Sequence, residues 1–255
     1  MPLDFNPFIF RSLGRMSTTT NLHPFPINTA EEVGDFEFGL NAYVKSKTGF
    51  DSLAHFSLVR VRQALLDDPD GGRLFAAIVD LRISLSLLEQ HTIALSKLFN
   101  KSIPSEDEET LGLDHQSSFL LRMEIHDHAN AFVLRFRSIW DKIMGILVLR
   151  LQPDRYDSFC QSKSKKSSFR KIFPSHPVVP VTFVDAAEKI IQSFDDRLRT
   201  PETHGTGTLR KVSFTWNELQ GSPPMALLGY WNFLNEVVHT LAKVFDPGLR
   251  EQEGP

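Results

Sequence analysis

Cysteine is nearly absent from this chain: Cys160 is the only one in 255 residues. One thiol forms no intrachain disulfide and is too little for a zinc site built on cysteines, so a reducing compartment is expected. Excess positive charge is missing as well, because 28 Lys and Arg face 31 Asp and Glu, for a net charge of −3. No global field draws the molecule to nucleic acid, and any such contact has to come from a local patch. The longest uninterrupted apolar run, Ile143 to Leu149, is stopped by Arg150. That is far short of the roughly 20 residues a membrane span needs. Met1 to Phe10 carries no basic segment ahead of a long apolar one, so no secretory leader is expected and a cytoplasmic location follows. No internal repeat, Walker loop or hydrolase elbow is found, and Gly205-Thr206-Gly207 lacks the preceding strand of a dinucleotide fold.

Tyrosine and tryptophan are scarce, at 3 each, beside 21 phenylalanines. A Phe-rich interior is the expectation, in keeping with the burial preference of that side chain. Hydrophobic residues at 41% and charged residues at 23% are ordinary for a folded domain large enough to bury a substantial core.

Residues 1–46 read as an irregular N-terminal arm, broken by Ser17-Thr18-Thr19-Thr20, Pro24 and Pro26, with a brief strand-like alternation at Phe36-Glu37-Phe38. Residues 47–250 read as a single helical domain. Leu53, Phe56, Val59 and Ala64 set a helical period that stops at Asp67-Asp68-Pro69-Asp70-Gly71-Gly72. Two long helices are predicted over 73–99 and 117–151, separated by an acidic loop. The Ser- and Lys-rich stretch 154–180 has two readings: a solvated connector, or a phosphate-contacting patch built on Lys163, Lys165, Lys166, Arg170 and Lys171. Further helices are predicted over 181–198, with Thr182 as cap, and from Pro223-Pro224 to about Phe245. Val212 to Trp216 reads as a short strand. The sum is an all-α fold, an antiparallel bundle of about five principal helices.

Charge concentrates most between Phe194 and Lys211, where three arginines, one lysine, one histidine and three carboxylates fall within eighteen residues. On an uninterrupted helix Arg199 and His204 would lie roughly 140° apart around the axis and face different targets. Pro201 disfavours helical geometry at Thr200, so a junction is predicted there that turns both side chains toward one point. Gly205 and Gly207 then let the chain leave sharply.

The run Arg199-Thr200-Pro201-Glu202-Thr203-His204 resembles the Arg, four to six residues, His motif of the HEPN superfamily of helical nucleic-acid-processing domains. Arg197 with His204 fits the same motif, and so does Arg122 with His128. The resemblance implies a HEPN-like, metal-independent endoribonuclease, including the toxin or defence type. In it the 2′-hydroxyl attacks the adjacent phosphorus and leaves a cyclic phosphate. It also implies RNA as partner, a homodimer with the cleft between protomers, a regulatory protein partner, and no metal or cofactor. His204 would be the general acid or base and Arg199 the phosphate ligand, with Arg197, Thr200 and Glu202 in support. Arg210, Lys211, Lys165 and Lys166 would hold flanking phosphates.

Two plainer readings stand beside this one. Arg197 and Arg199 can pair with Asp195, Asp196 or Glu202 as an ordinary basic helix terminus, and the chain would then be a non-catalytic helical interaction or nucleic-acid-binding protein. Glu124, His126 and His128 tempt a metal assignment, but His126 and His128 are two residues apart and point to different sides of a helix.

Overall fold

The computed structural model describes residues 29–53, 56–102, 115–175, 179, 181–203, 209 and 223–245. Those residues are all-α, with no strand among them. The predicted strand at Val212 to Trp216 lies outside the described residues.

Helix α1 (Ala30–Thr48) corrects the expectation of an irregular arm over its residues 30–46 and of a strand at Phe36-Glu37-Phe38, while residues 1–28 of that arm lie outside the described residues. Its ends explain why. Thr29 and Glu32 form a reciprocal capping box, and Gly49 closes the helix in the left-handed region at φ 77°, donating to the Lys45 carbonyl. Of the two phenylalanines, Phe36 packs on the core and Phe38 is exposed, with Glu37 between them accepting from the Leu58 N–H.

Helix α2 (Leu58–Ala64) is capped by Ser57 and is shorter than the periodicity from Leu53 predicts. The long helices α3 (Gly71–Ser102) and α4 (His115–Leu151) follow the sequence reading closely. They pack antiparallel: Asp68, just before α3, pairs with Arg150, Asp80 with Lys142, and His91 meets His128. One set of numbers rises as the other falls.

Residues 153–172 are not a solvated connector. A short 3₁₀ turn leads into α5 (Tyr156–Gln161) and α6 (Lys165–Ile172), which lie on α4 through the buried Phe159, Phe169 and Phe173. Three aromatic anchors remove enough apolar surface from water to hold even short helices down.

Helix α7 (Val181–Phe194) opens at Val181, so Thr182 sits inside the first turn rather than capping it. A wide turn at Asp195–Arg199 joins it to α8 (Thr200–Thr203), and α9 (Pro223–Phe245) closes the described chain. Phe136 meets Tyr230 and Trp140 stacks near Phe233, so α9 runs in the same direction as α4 and opposite to α3. The core is Phe-rich, as expected: Phe132, Phe136 and Phe194 are fully buried and Phe136 contacts the rings of Phe132, Trp140, Phe194 and Tyr230.

Candidate functional site

Val184, Ala187, Ile191, Phe194 and Leu198 form the buried stripe of α7 and its wide turn, at spacings of three and four that keep one face inward. The stripe fixes which side chains of the following turn face the solvent. Arg197, Arg199 and Thr200 are exposed, while Asp195 is turned inward.

The junction predicted at Thr200-Pro201 is replaced by a different device. Thr200 is helical, at φ −62° and ψ −47°, and its N–H reaches back five residues to the Asp195 carbonyl, the bond of a π turn. In a regular α-helix the Pro201 ring would press on the carbonyl four residues earlier and its missing N–H would break the ladder. The wider turn carries that carbonyl aside, and the chain stays helical through Thr203. The chain therefore passes Pro201 without the break that the sequence predicts.

Around this turn four charged side chains form a line. Asp141 accepts from Arg137 one helical turn away on α4; Arg137 Nε lies 3.4 Å from Asp195 Oδ2; and Arg199 Nη1 lies 3.5 Å from Asp195 Oδ1. Exposure rises toward the Arg199 end, from 12% for the Arg137 side chain and 18% for Asp195 to 45% for Arg199. The arrangement holds a half-exposed guanidinium at the surface against a carboxylate that is itself turned inward.

The other predicted site residues fall as follows. His204, Arg210 and Lys211 lie outside the described residues, and of Glu202 only the helical backbone is described. Leu209, between them, is fully buried. Lys165 donates to the Phe159 and Cys160 carbonyls at the end of α5, and so serves that helix as a C-terminal cation. Lys166 meets Gln192, and Arg170 pairs with Glu188 and Asp185, which sews α6 to α7. That pairing raises the Arg170 pKa, through its hydrogen bond to Glu188 first. The basic stretch is thus tied down by the helices it packs against.

Two polar clusters form through contacts that the sequence does not single out. His91 and His128 approach Nδ1 to Nδ1 at 3.0 Å, with ring centres 5.3 Å apart. The difference is two ring radii, so the nitrogens point at each other and share one proton in an N–H···N bond; metal ligands would instead converge on a third point. Among the described residues no group of three or more His, Cys, Asp or Glu is placed to hold a metal ion. Burial, followed by His128, lowers the His91 pKa to about 4.

The second cluster is built on Arg82, which is fully buried. It donates to Ser86 Oγ at 2.6 Å and to Asn41 Oδ1 at 2.7 Å. Glu89 accepts from Ser52 Oγ and the Leu53 N–H. Burial lowers the Arg82 pKa, and Glu89 and then Glu37 oppose the shift. The histidine pair carries no spacing signature, because it joins two helices; in the second cluster Arg82, Ser86 and Glu89 share one face of α3 at steps of four and three, while Asn41, Ser52 and Leu53 come to them from distant parts of the chain.

No helix among the described residues is long and apolar enough to cross a membrane. No family model, no curated protein and no solved structure matches this chain.

Proposed function

We propose that this chain is a HEPN-like, metal-independent endoribonuclease acting as a cytoplasmic homodimer, with Arg199 and His204 at the cleft between protomers. The observation that supports it is the presentation of Arg199: half-exposed, gripped from within by Asp195, at the end of an amphipathic helix in an all-α fold. In this reading the guanidinium binds the scissile phosphate and stabilises the charge that builds on its oxygens as the 2′-hydroxyl attacks. His204 takes the hydroxyl proton or delivers one to the 5′ leaving oxygen, as an imidazole near neutral pH can. Arg197, Thr200 and Glu202 act in support; Lys165, Lys166, Arg210 and Lys211 extend the phosphate track, and a regulatory protein partner restrains the activity.

The second reading, a non-catalytic helical interaction protein, is supported by the same ion pair. The helix runs unbroken through Pro201, so Arg199 and Asp195 also suffice as a helix-end clamp.

The test is incubation of folded wild type, Arg199→Ala and His204→Ala with a mixed structured RNA in EDTA, followed by mapping of product ends. Cleavage by wild type alone, leaving 2′,3′-cyclic phosphates, is the expected result. Intact RNA with folded, dimeric wild type, or equal cleavage by all three proteins, overturns it.

A further inference from the structure

Away from the Arg199 turn, a cleft of about 610 Å³ opens where α5 and α6 lie across α3 and α4. That falls within the range of about 300–1,000 Å³ typical of small-molecule sites. Its floor is made by what is small. Ala76 and Ala77 on α3 and Gly145 on α4 leave room beneath α5, and a Cβ at Gly145 would stand 3.6 Å from Phe159 Cε1 and 3.8 Å from Tyr156 Cε2. The half-buried ring of Tyr156 therefore stands as an aromatic wall over an apolar base, with the fully buried Phe159 backing the cleft.

Each ring carries a cation: the Arg73 guanidinium lies 5.2 Å from the Tyr156 centre, and Lys165 Nζ lies 5.3 Å from that of Phe159. The cleft's two carboxylates are already engaged, Asp80 by Lys142 of the same lining and Asp141 by Arg137 from outside it. Arg73 is held only at the rim, at 3.2 Å from an Asp157 that is 82% exposed and 3.7 Å from Asp70, pairs that water weakens. Lys165 has three N–H donors, and its described acceptors are two carbonyls. Burial, then a hydrogen bond with Cys160, pushes the Tyr156 phenol up to about 12, so it adds no negative charge of its own.

We propose that this cleft binds a flat organic anion, its aromatic body between the Ala76–Ala77 floor and the Tyr156 ring and its acidic group on Arg73 and Lys165. The inference is independent of the nuclease reading. Cys160 lines the same cleft and is the chain's only thiol, so its reactivity reports occupancy at a single position.

The probe is 8-anilinonaphthalene-1-sulfonate, a fused aromatic with one fixed negative charge, titrated by fluorescence into the full chain. One saturable site is expected, with alkylation of Cys160 by iodoacetamide slowed at least tenfold at saturation. Arg73→Gln, on a side chain 46% exposed, should weaken binding at least tenfold with the helical circular dichroism unchanged. Ala77→Leu, which fills the floor, should abolish binding; if it fails to fold, Arg73→Gln decides alone. Absence of saturable binding, unchanged affinity in Arg73→Gln, or Cys160 alkylation at the same rate with and without the probe overturns the proposal.

Discussion

Arg137 and Asp195, fifty-eight residues apart in the chain, meet at 3.4 Å with side chains only 12% and 18% exposed. Arg137 is the shared partner of two carboxylates, Asp141 and Asp195, whereas Asp195 is the shared partner of two arginines. Removing Arg137 leaves Asp141 without this partner and leaves the poorly hydrated Asp195 with Arg199 alone. Arg137→Ala should therefore cost about 3 kcal/mol, and Asp195→Ala less, because Arg137 keeps Asp141 and Arg199 can turn to water. Urea unfolding of the two variants checks the order; an equal cost for both would remove the argument.

The His91–His128 contact makes stability depend on pH. The folded His91 pKa of about 4 lies below the unfolded value of 6.5, so between those limits the unfolded chain binds the extra proton. This contribution is complete above pH 6.5 and is lost as pH falls toward 4. A doubly protonated ring also cannot accept the proton of its neighbour, and Arg135 adds repulsion while Asp127 relieves it. Thermal melts of wild type and His91→Leu at pH 4 to 7 should show a smaller decline for the variant across that window. Parallel curves would exclude the pair as the source.

Arg82 is a buried charge satisfied mainly by neutral oxygens. Arg82→Ala strands the oxygens of Asn41 and Ser86 together with Glu89, at a cost of about 3–5 kcal/mol. Arg82→Lys should recover little, because one compact ammonium cannot span Asn41 and Ser86 as the guanidinium fork does. Full recovery in chemical denaturation would mean that only the charge matters.

Phe136 stands at the crossing of α4, α7 and α9, in ring contact with Phe194 at 4.3 Å and Tyr230 at 5.6 Å. Phe136→Ala opens a void among aromatic rings that cannot collapse around it, and a loss of about 3–5 kcal/mol is expected. Loss of near-ultraviolet circular dichroism from the neighbouring Trp140 and Tyr230 should accompany it.

What the sequence made legible followed from pattern. The stripes of α3 and α4 repeat for many turns, and Pro153 and the Asp67 to Gly72 cluster mark their ends, so both helices were placed within two residues at each bound except the last turn of α3. Helix α1 was hidden because the prolines at 24 and 26 and the Phe36-Glu37-Phe38 alternation outweighed Thr29 and Glu32, a capping box visible in the sequence. Helices α5 and α6 were hidden because a single buried Phe in each does not make a period. At the candidate site, Arg199 and its partner Asp195 are four residues apart and could be read directly. Arg137 could not, since only packing of α7 on α4 brings it there. The π turn has no residue signature beyond Pro201, because a change of hydrogen-bond register is a property of the backbone.

That wide turn also determines how this helix tolerates changes in length. It holds one residue more than an α turn while leaving the axis continuous. Deleting Asp196, an exposed residue, should let α7 anneal into α8 as ordinary helix with both ends nearly in place. Pro201 opposes that closure, because its ring then meets the carbonyl the wide turn had moved away. The deletion and the proline are coupled: loss of Asp196 should be costly in the natural sequence and nearly silent beside Pro201→Ala.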